Sequence, residues 1–451
     1  MIGKIIQRLL GKGGLRRELT QGALGSMVLK VLFTVITFAN VVLLARILGP
    51  EGYGVVAFVL AVVSVLAIPS QFGIPILATR ELAVARVREQ WGLMRGFIQR
   101  AQQAIAVFTV VLVAAAMTAL YFLHDGLAPE KLESMAWGLL LVPLLSLAGL
   151  RNGMLKGLRK VLLGQLPEQL IRPGMLFLAL LVVIWGFPAV DLSAAQVMML
   201  QVVAATTALL VGAWIFRRVR PPEIITAEPR YQTRLWLVSV VPLGLTEALR
   251  QVNGQTDILL LGLMASDAEV GLFRVADQIA VLVLFGQQVI SSVLAPHFAH
   301  MHATGEHESL QRLMTASARV ILALTFPVVL VLIIFGKPVL AGFFGSEFEA
   351  AYGPLVILCL GQFLNASMGP VSLLLSMTGH ERDMMTGMGI SVVVNIMFNL
   401  ILIPLYGMYG AAITTVLTLA TWNLILRRQV RRRLGIESSA LFGAITYQPK
   451  K

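Results

Sequence analysis

The feature that most constrains this chain is a series of apolar runs too long to be buried inside a soluble domain. Phe58–Leu77 carries no charged residue, and Met27–Ala45 carries only Lys30. A run of about 18 or more apolar residues is long enough to cross a bilayer as a helix. Inside hydrocarbon the backbone must satisfy its own hydrogen bonds, which leaves helices or a closed barrel. Barrel strands alternate in hydrophobicity at every second residue, and these runs do not. The expected fold is therefore an all-α membrane protein. Composition agrees: 13% of the 451 residues are charged, against about 25% in soluble domains, and the mean hydropathy is +0.82.

Twelve spans are expected, at 24–45, 55–78, 103–123, 135–154, 173–190, 195–216, 235–263, 271–295, 318–336, 353–377, 387–406 and 410–427. Lys and Arg beside short loops set orientation. Thirty of the 36 basic residues fall at the N-terminus, in every second loop and in the C-terminal tail, whereas the opposite loops hold only Arg46, Lys131 and Lys337. That asymmetry predicts a multi-pass protein with both termini in the cytoplasm. It also accounts for the net charge of +13 without a nucleic-acid partner. Residues 1–10 place Ile2, Ile5, Ile6, Leu9 and Leu10 on one face, which predicts a short helix lying on the inner leaflet. The first apolar run follows a basic stretch and is one of many similar runs, so no cleavable signal peptide is expected. The single cysteine, Cys359, excludes an intrachain disulfide.

The chain shows a weak internal repeat. Leu43–Gly54 aligns with Leu260–Gly271 at an offset of 217, and Pro188 with Ala194 and Ala195 lies against Pro404 with Ala411 and Ala412 at 216 and 217. Gly157–Lys160 sits against Gly379–Arg382 at 222. The expected organisation is a cytoplasmic amphipathic segment at 1–22, a six-helix half at 23–216, a cytoplasmic linker at 217–234, a second six-helix half at 235–427 and a basic cytoplasmic tail at 428–451. Six is even, so the halves would run parallel. Transporters built from repeats bind substrate between them near the midplane.

No GxxxxGK[ST], HExxH, GxSxG or CxxC pattern is present, so enzyme chemistry is not expected. What remains are charges inside spans, which are costly there and by default mark a site or pathway. Glu247, Arg250 and Asp257 share one face of the seventh span with Asn253 near it, and Pro242, Gly244 and Gly254 can loosen that helix. A single Glu–Arg pair joining helices is the plainer reading, but it would not require Asp257 and Asn253. Lys30 lies opposite Glu247 at the repeat offset and is also close enough to the membrane edge to snorkel. Arg274 and Asp277 are i, i+3 neighbours, suited to a local salt bridge or to lining a pathway. Amides thicken the region: Asn40, Gln71, Gln278, Gln287, Gln288, Asn365, Asn395 and Asn399. Such groups pair with sugar hydroxyls and also glue helices together. His297, His300, His302 and His307 cluster in a loop with no acidic or cysteine ligand fixed beside them, and no metal or cofactor is assigned.

Several segments together resemble the polysaccharide transporter branch, the O-antigen flippase (Wzx-like) family, of the multidrug/oligosaccharidyl-lipid/polysaccharide exporter superfamily. They are LLARILGPEGYGVVAF at 43–58, TDILLLGLMASDAEVGLFRVA at 256–276, FFGSEFEAAYGPLVIL at 343–358 and NIMFNLILIPLYGMYGAAITTVL at 395–417. Asp257 falls at that family's recurrent aspartate. The resemblance implies alternating-access movement of a lipid-linked oligosaccharide from the cytoplasmic to the outer leaflet of a bacterial inner membrane, in O-antigen and lipopolysaccharide biosynthesis. It implies membrane lipids, glycosyltransferases and a polymerase of the same pathway as partners. Arg250 and Lys30 would suit a diphosphate electrostatically. The rivals are a cation-coupled drug exporter using Glu247 or Asp257, and a non-transporting scaffold for envelope assembly.

Overall fold

The computed structural model describes residues 14–126, 128–186 and 191–440. The helix expected at residues 1–10 and the end of the basic tail lie outside them. The described secondary structure is helical, with no strand among the described residues. The helices are α1 (Gly14–Gln71), α2 (Ile74–Val87), α3 (Trp91–Phe122), α4 (Pro129–Leu139), α5 (Leu141–Gly157), α6 (Val161–Leu166), α7 (Arg172–Gly186), α8 (Ala194–Val219) and α9 (Glu223–Thr226). They continue with α10 (Thr233–Met264), α11 (Asp267–Val283), α12 (Phe285–Ala303), α13 (His307–Phe344), α14 (Tyr352–Ser367), α15 (Val371–Met377), α16 (Glu381–Tyr406) and α17 (Met408–Leu434).

Among the described residues ten helical stretches are long and apolar enough to cross a membrane, and the bent pair Asp267–Ser291 and Val293–Ala303 makes an eleventh. The first stretch, Val28–Gln71, has 44 residues. At 1.5 Å per residue it is about 66 Å long, twice the roughly 30 Å of bilayer hydrocarbon. It is divided at Gly49, whose φ of 66° and ψ of −177° are open essentially to glycine alone. The break yields two passes, and the fold is that of an all-α membrane protein with about twelve spans. Two expected spans end earlier than their hydropathy suggests. The run 55–78 breaks at Phe72 and Gly73 (φ 25° and 75°), and 353–377 breaks after Ser367 at Gly369 (φ 73°) and Pro370. Hydropathy does not register these backbone turns, because the residues around them are as apolar as the helices they interrupt.

The chain forms two compact units. Unit 1 comprises the described residues up to Ile47 with Val62–Ala248, and unit 2 comprises Leu48–Ala61 with Leu249 onward. The unit boundaries therefore fall inside α1 and α10. Unit 1 packs Leu77, Leu82, Met94, Phe97, Leu150, Met154 and Trp236 into one core, with Phe97 and Trp236 edge to face at 5.2 Å. Its α8 begins with a capping box, in which Ser193 Oγ accepts from the Gln196 N–H and Gln196 Oε1 accepts from the Ser193 N–H. Unit 2 packs Phe298, Leu310, Met314, Leu374, Leu375, Leu426 and Val430 with Ile436, just past α17. Glu437 beside it is 5% exposed. Its carboxylate accepts from Arg427 Nε at 2.7 Å, and its backbone exchanges two hydrogen bonds with the Gln311 amide. Large side chains such as Phe122 and Trp185 stay on the outside. Among lipid tails an exposed apolar side chain costs little, so helices are joined by close packing and hydrogen bonds instead.

Unit 2 contains a close contact between residues at the expected repeat spacing. A Cβ on Gly54 would collide with the Asp267 carbonyl oxygen, and one on Gly271 with the Pro50 carbonyl oxygen. Gly54 and Gly271 are 217 positions apart, and so are Pro50 and Asp267. The same small-residue crossing is thus made reciprocally by the two copies of one motif.

Candidate functional site

The site is built on α10, the helix in which sequence spacing concentrates charge. Pro242 cannot donate within it, and Thr246 Oγ1 donates back to the Pro242 carbonyl at 2.9 Å. Glu247 belongs to unit 1, while Arg250, Asn253 and Asp257 belong to unit 2. Glu247, Asn253 and Asp257 are partly buried and Arg250 is exposed. Arg250 lies near the middle of a 32-residue candidate span, where a guanidinium requires a partner or water. Asn253 Oδ1 is buried without a partner among the described residues.

Asp257 is the centre of a polar cluster drawn from three helices of unit 2. Asn395 Nδ2 and Asn399 Nδ2, one turn apart on α16, donate to Asp257 Oδ1 at 2.8 and 2.6 Å. Thr415 Oγ1 on α17 lies 2.7 Å from Asp257 Oδ2 and 3.0 Å from the Ala411 carbonyl. An ionised carboxylate is an acceptor with about four lone-pair sites, and these donors match it. The cluster extends outward: Asn395 Nδ2 is 3.3 Å from Thr418 Oγ1, and Asn399 Nδ2 is 3.2 Å from Asn395 Oδ1. Asn395 and Asn399 are 1% and 0% exposed. Asn399 Oδ1 is left without a partner among the described residues. A second amide pair, Asn423 Nδ2 to Asn365 Oδ1 at 2.9 Å, ties α17 to α14.

Arg274 and Asp277 on α11 form the expected pair at 3.2 Å, each side chain 26% exposed. The buried Tyr53 hydroxyl is hydrogen-bonded to Arg274, and Asp277 also interacts electrostatically with Asp257. Two carboxylates, one guanidinium and a phenol are therefore gathered in unit 2. Lys30 lies on an exposed face of α1, its carbonyl accepting from Thr34 Oγ1. Among the described residues no group of three His, Cys, Asp or Glu side chains is placed to hold a metal ion.

Sequence reasoning singled out Asp257 and noted Asn395 and Asn399 only as part of an amide-rich region. It did not pick out Thr415, Thr418 or Tyr53. The i, i+4 spacing of Asn395 and Asn399 and the i, i+3 spacing of Thr415 and Thr418 were the available signals, since each pair shares a helix face. Nothing in the spacing announced that both pairs would meet Asp257.

The polysaccharide biosynthesis protein family matches residues 19–302. Two curated relatives come from the archaeon Haloferax volcanii. The probable low-salt glycan biosynthesis flippase Agl15 is 25% identical over 38% of this chain and 36% of its own length. The probable flippase AglR is 25% identical over 46% of this chain and 44% of its own length. The chain thus spans less than half of each relative it matches. Among solved structures, an inward-facing multidrug resistance MATE family transporter of the MOP superfamily superposes with a TM-score of 0.73 at 15% identity, covering 89% of this chain and 94% of that one. The lipid II flippase MurJ in an inward closed conformation gives 0.69 at 14% identity, covering 94% and 91%. At such identities these likenesses establish the fold.

Proposed function

The chain belongs to the polysaccharide biosynthesis protein family, and on that premise we propose that it is a flippase for a polyprenyl-diphosphate-linked saccharide. The observation that carries this reading is Arg250, an exposed guanidinium near mid-span on a helix that also holds Glu247, Asn253 and Asp257. A saccharide head crossing hydrocarbon must exchange its hydration shell for protein groups of this kind, while its tail stays in apolar surroundings. Arg250 offers the diphosphate a forked donor, and Lys30 offers a further positive charge. Moving negative charge out of an inside-negative cell is downhill by about 2.3 kcal/mol per charge per 100 mV, so no nucleotide site is required. The proposed setting is the inner membrane of a bacterium, with both termini cytoplasmic, in O-antigen or related surface-glycan assembly.

The test is translocation of a fluorescent polyprenyl-diphosphate saccharide in proteoliposomes. Arg250→Ala is expected to lower the rate at least 100-fold with the protein fully inserted, and Arg250→Lys to retain part of it. Wild-type translocation by Arg250→Ala would remove Arg250 from the mechanism. Gradient-driven uptake of cationic dyes, without translocation of the saccharide, would replace the flippase reading by drug export.

The Asp257 cluster favours one elaboration, coupling to a cation. Carboxylate, amide and hydroxyl oxygens are hard ligands of the type that take alkali and alkaline-earth ions, and rotating the two amides would turn their oxygens toward such an ion. Asp257→Ala is expected to abolish dependence of transport on a sodium or proton gradient. The same change removes one acceptor from Asn395, Asn399 and Thr415, each of which keeps another within reach, and lowers stability by about 1 kcal/mol. Unchanged gradient dependence in Asp257→Ala proteoliposomes would reject the coupling role.

A further inference from the structure

Unit 1 holds a pocket of about 840 Å³ that the proposed translocation does not use. Its volume lies within the roughly 300–1,000 Å³ of small-molecule sites. Phe72, at the break of α1, lines it, and most of its lining comes from α3 and α10. Both helices line it in the same order. On α3 the lining runs from Phe97 through Arg100 and Gln103 to Val107 and Phe108; on α10 it begins with Thr233 and ends with Val240 and Val241. One end of the pocket is polar and the rest is hydrocarbon.

One detail at the polar end points to an anionic ligand. Arg100 is exposed yet held in place: its guanidinium donates to Gln103 Oε1 at 3.2 Å and lies 4.7 Å from the centre of the Tyr231 ring. Tyr231 is anchored in turn, donating from its hydroxyl to Gln99 Oε1 at 2.8 Å. A guanidinium has five N–H donors, and a planar fork of this kind matches phosphate oxygens. One turn inside Thr233 lies Trp236, 6% exposed and lining the pocket. Its indole N–H has no hydrogen-bond partner among the described residues. Buried Trp N–H groups ordinarily have one.

We infer that this pocket docks the isoprenoid tail of a phosphate-bearing lipid, with Arg100 on the phosphate. The inference rests on the flippase reading, and it places the tail in unit 1. Charge complementarity chooses the occupant. An apolar pocket with a cationic side chain at one end suits an apolar chain bearing phosphate. Arg100 belongs to the arginine-rich loops that orientation rules place in the cytoplasm, the side on which a lipid-linked saccharide would be loaded.

The experiment uses the full chain in phosphatidylcholine nanodiscs and a polyprenyl diphosphate carrying a diazirine in its tail. Photolysis followed by peptide mapping is expected to label the segments around Val107 and Val240. Arg100→Gln should weaken saturable labelling about tenfold, Arg100→Lys should restore part of it, and Ala104→Phe should abolish it by filling the pocket. Arg100→Gln alters an exposed side chain, so the test survives if Ala104→Phe fails to fold. Saturable labelling on other helices that is unmoved by Arg100→Gln would overturn the pocket while leaving the flippase reading intact. Equal competition by excess phosphatidylglycerol would make the pocket a bilayer-lipid site and also overturn it. Absence of saturable binding anywhere in the protein would instead overturn the flippase reading on which it rests.

Discussion

Asn40 in unit 1 and Asp257 in unit 2 stand 217 positions apart, at the same place in the internal repeat, and their surroundings differ as their chemistry requires. Asn40 is 5% exposed and has one backbone partner, its Nδ2 donating to the Pro173 carbonyl at 2.9 Å, while its Oδ1 is buried without a partner among the described residues. Asp257 collects Asn395, Asn399 and Thr415. The corresponding stretch of unit 1, Leu178–Val183, is wholly apolar, and Met198 stands where Thr415 would. A neutral amide is held here by a single carbonyl. A carboxylate demands several donors and imposes polarity on two neighbouring helices. The halves share a frame, and one charge accounts for the cluster present in unit 2 and absent from the matching positions of unit 1.

The largest expected effect comes from forcing the two sites to be alike. Asn40→Asp would set a carboxylate against the Pro173 carbonyl, acceptor against acceptor, and should destabilise the protein by about 3–5 kcal/mol, the cost of an uncompensated buried charge. Thermal unfolding of purified protein checks this, and a change no larger than that of Asn40→Ala would mean that unit 1 tolerates charge as unit 2 does. A smaller loss is expected where the two repeats touch. Gly271→Ala drives a methyl into the Pro50 carbonyl and should cost about 1–3 kcal/mol, with Gly54→Ala costing a similar amount if the contact is as reciprocal as its spacing. Unequal losses would show that the symmetry is geometric without being energetic. The smallest effect concerns Lys30 and Glu247, again 217 apart. Glu247→Gln and Lys30→Ala are expected to couple by about 0.5–1 kcal/mol in a double-mutant cycle on translocation rate. Additive losses would leave Lys30 as a snorkelling side chain.

What could be read from the residues follows the length scale of the signal. Long apolar runs state helices and membrane, because no other structure shields a backbone from hydrocarbon, and the α10 charges stood out because ionised groups are so rare there. The repeat was legible as a spacing of 217, although few side chains repeat, because Gly54 and Gly271 are held by the same close crossing. The turns at Phe72–Gly73 and Gly369–Pro370 were not legible, since apolar residues surround them on both sides.

The sequence by itself determined that this chain is a helical membrane protein with about a dozen spans and charges on its seventh. Those facts depend on transfer energies and local periodicity, which each segment carries alone. Only the tertiary structure decided that Asp257 meets Asn395, Asn399 and Thr415, because those contacts join residues 138, 142 and 158 positions apart. Only it decided that α3 and α10 enclose a pocket with Arg100 at its rim and Trp236 inside. Amide, hydroxyl and indole groups look alike in any apolar run; which become ligands depends on the helix that packs opposite them.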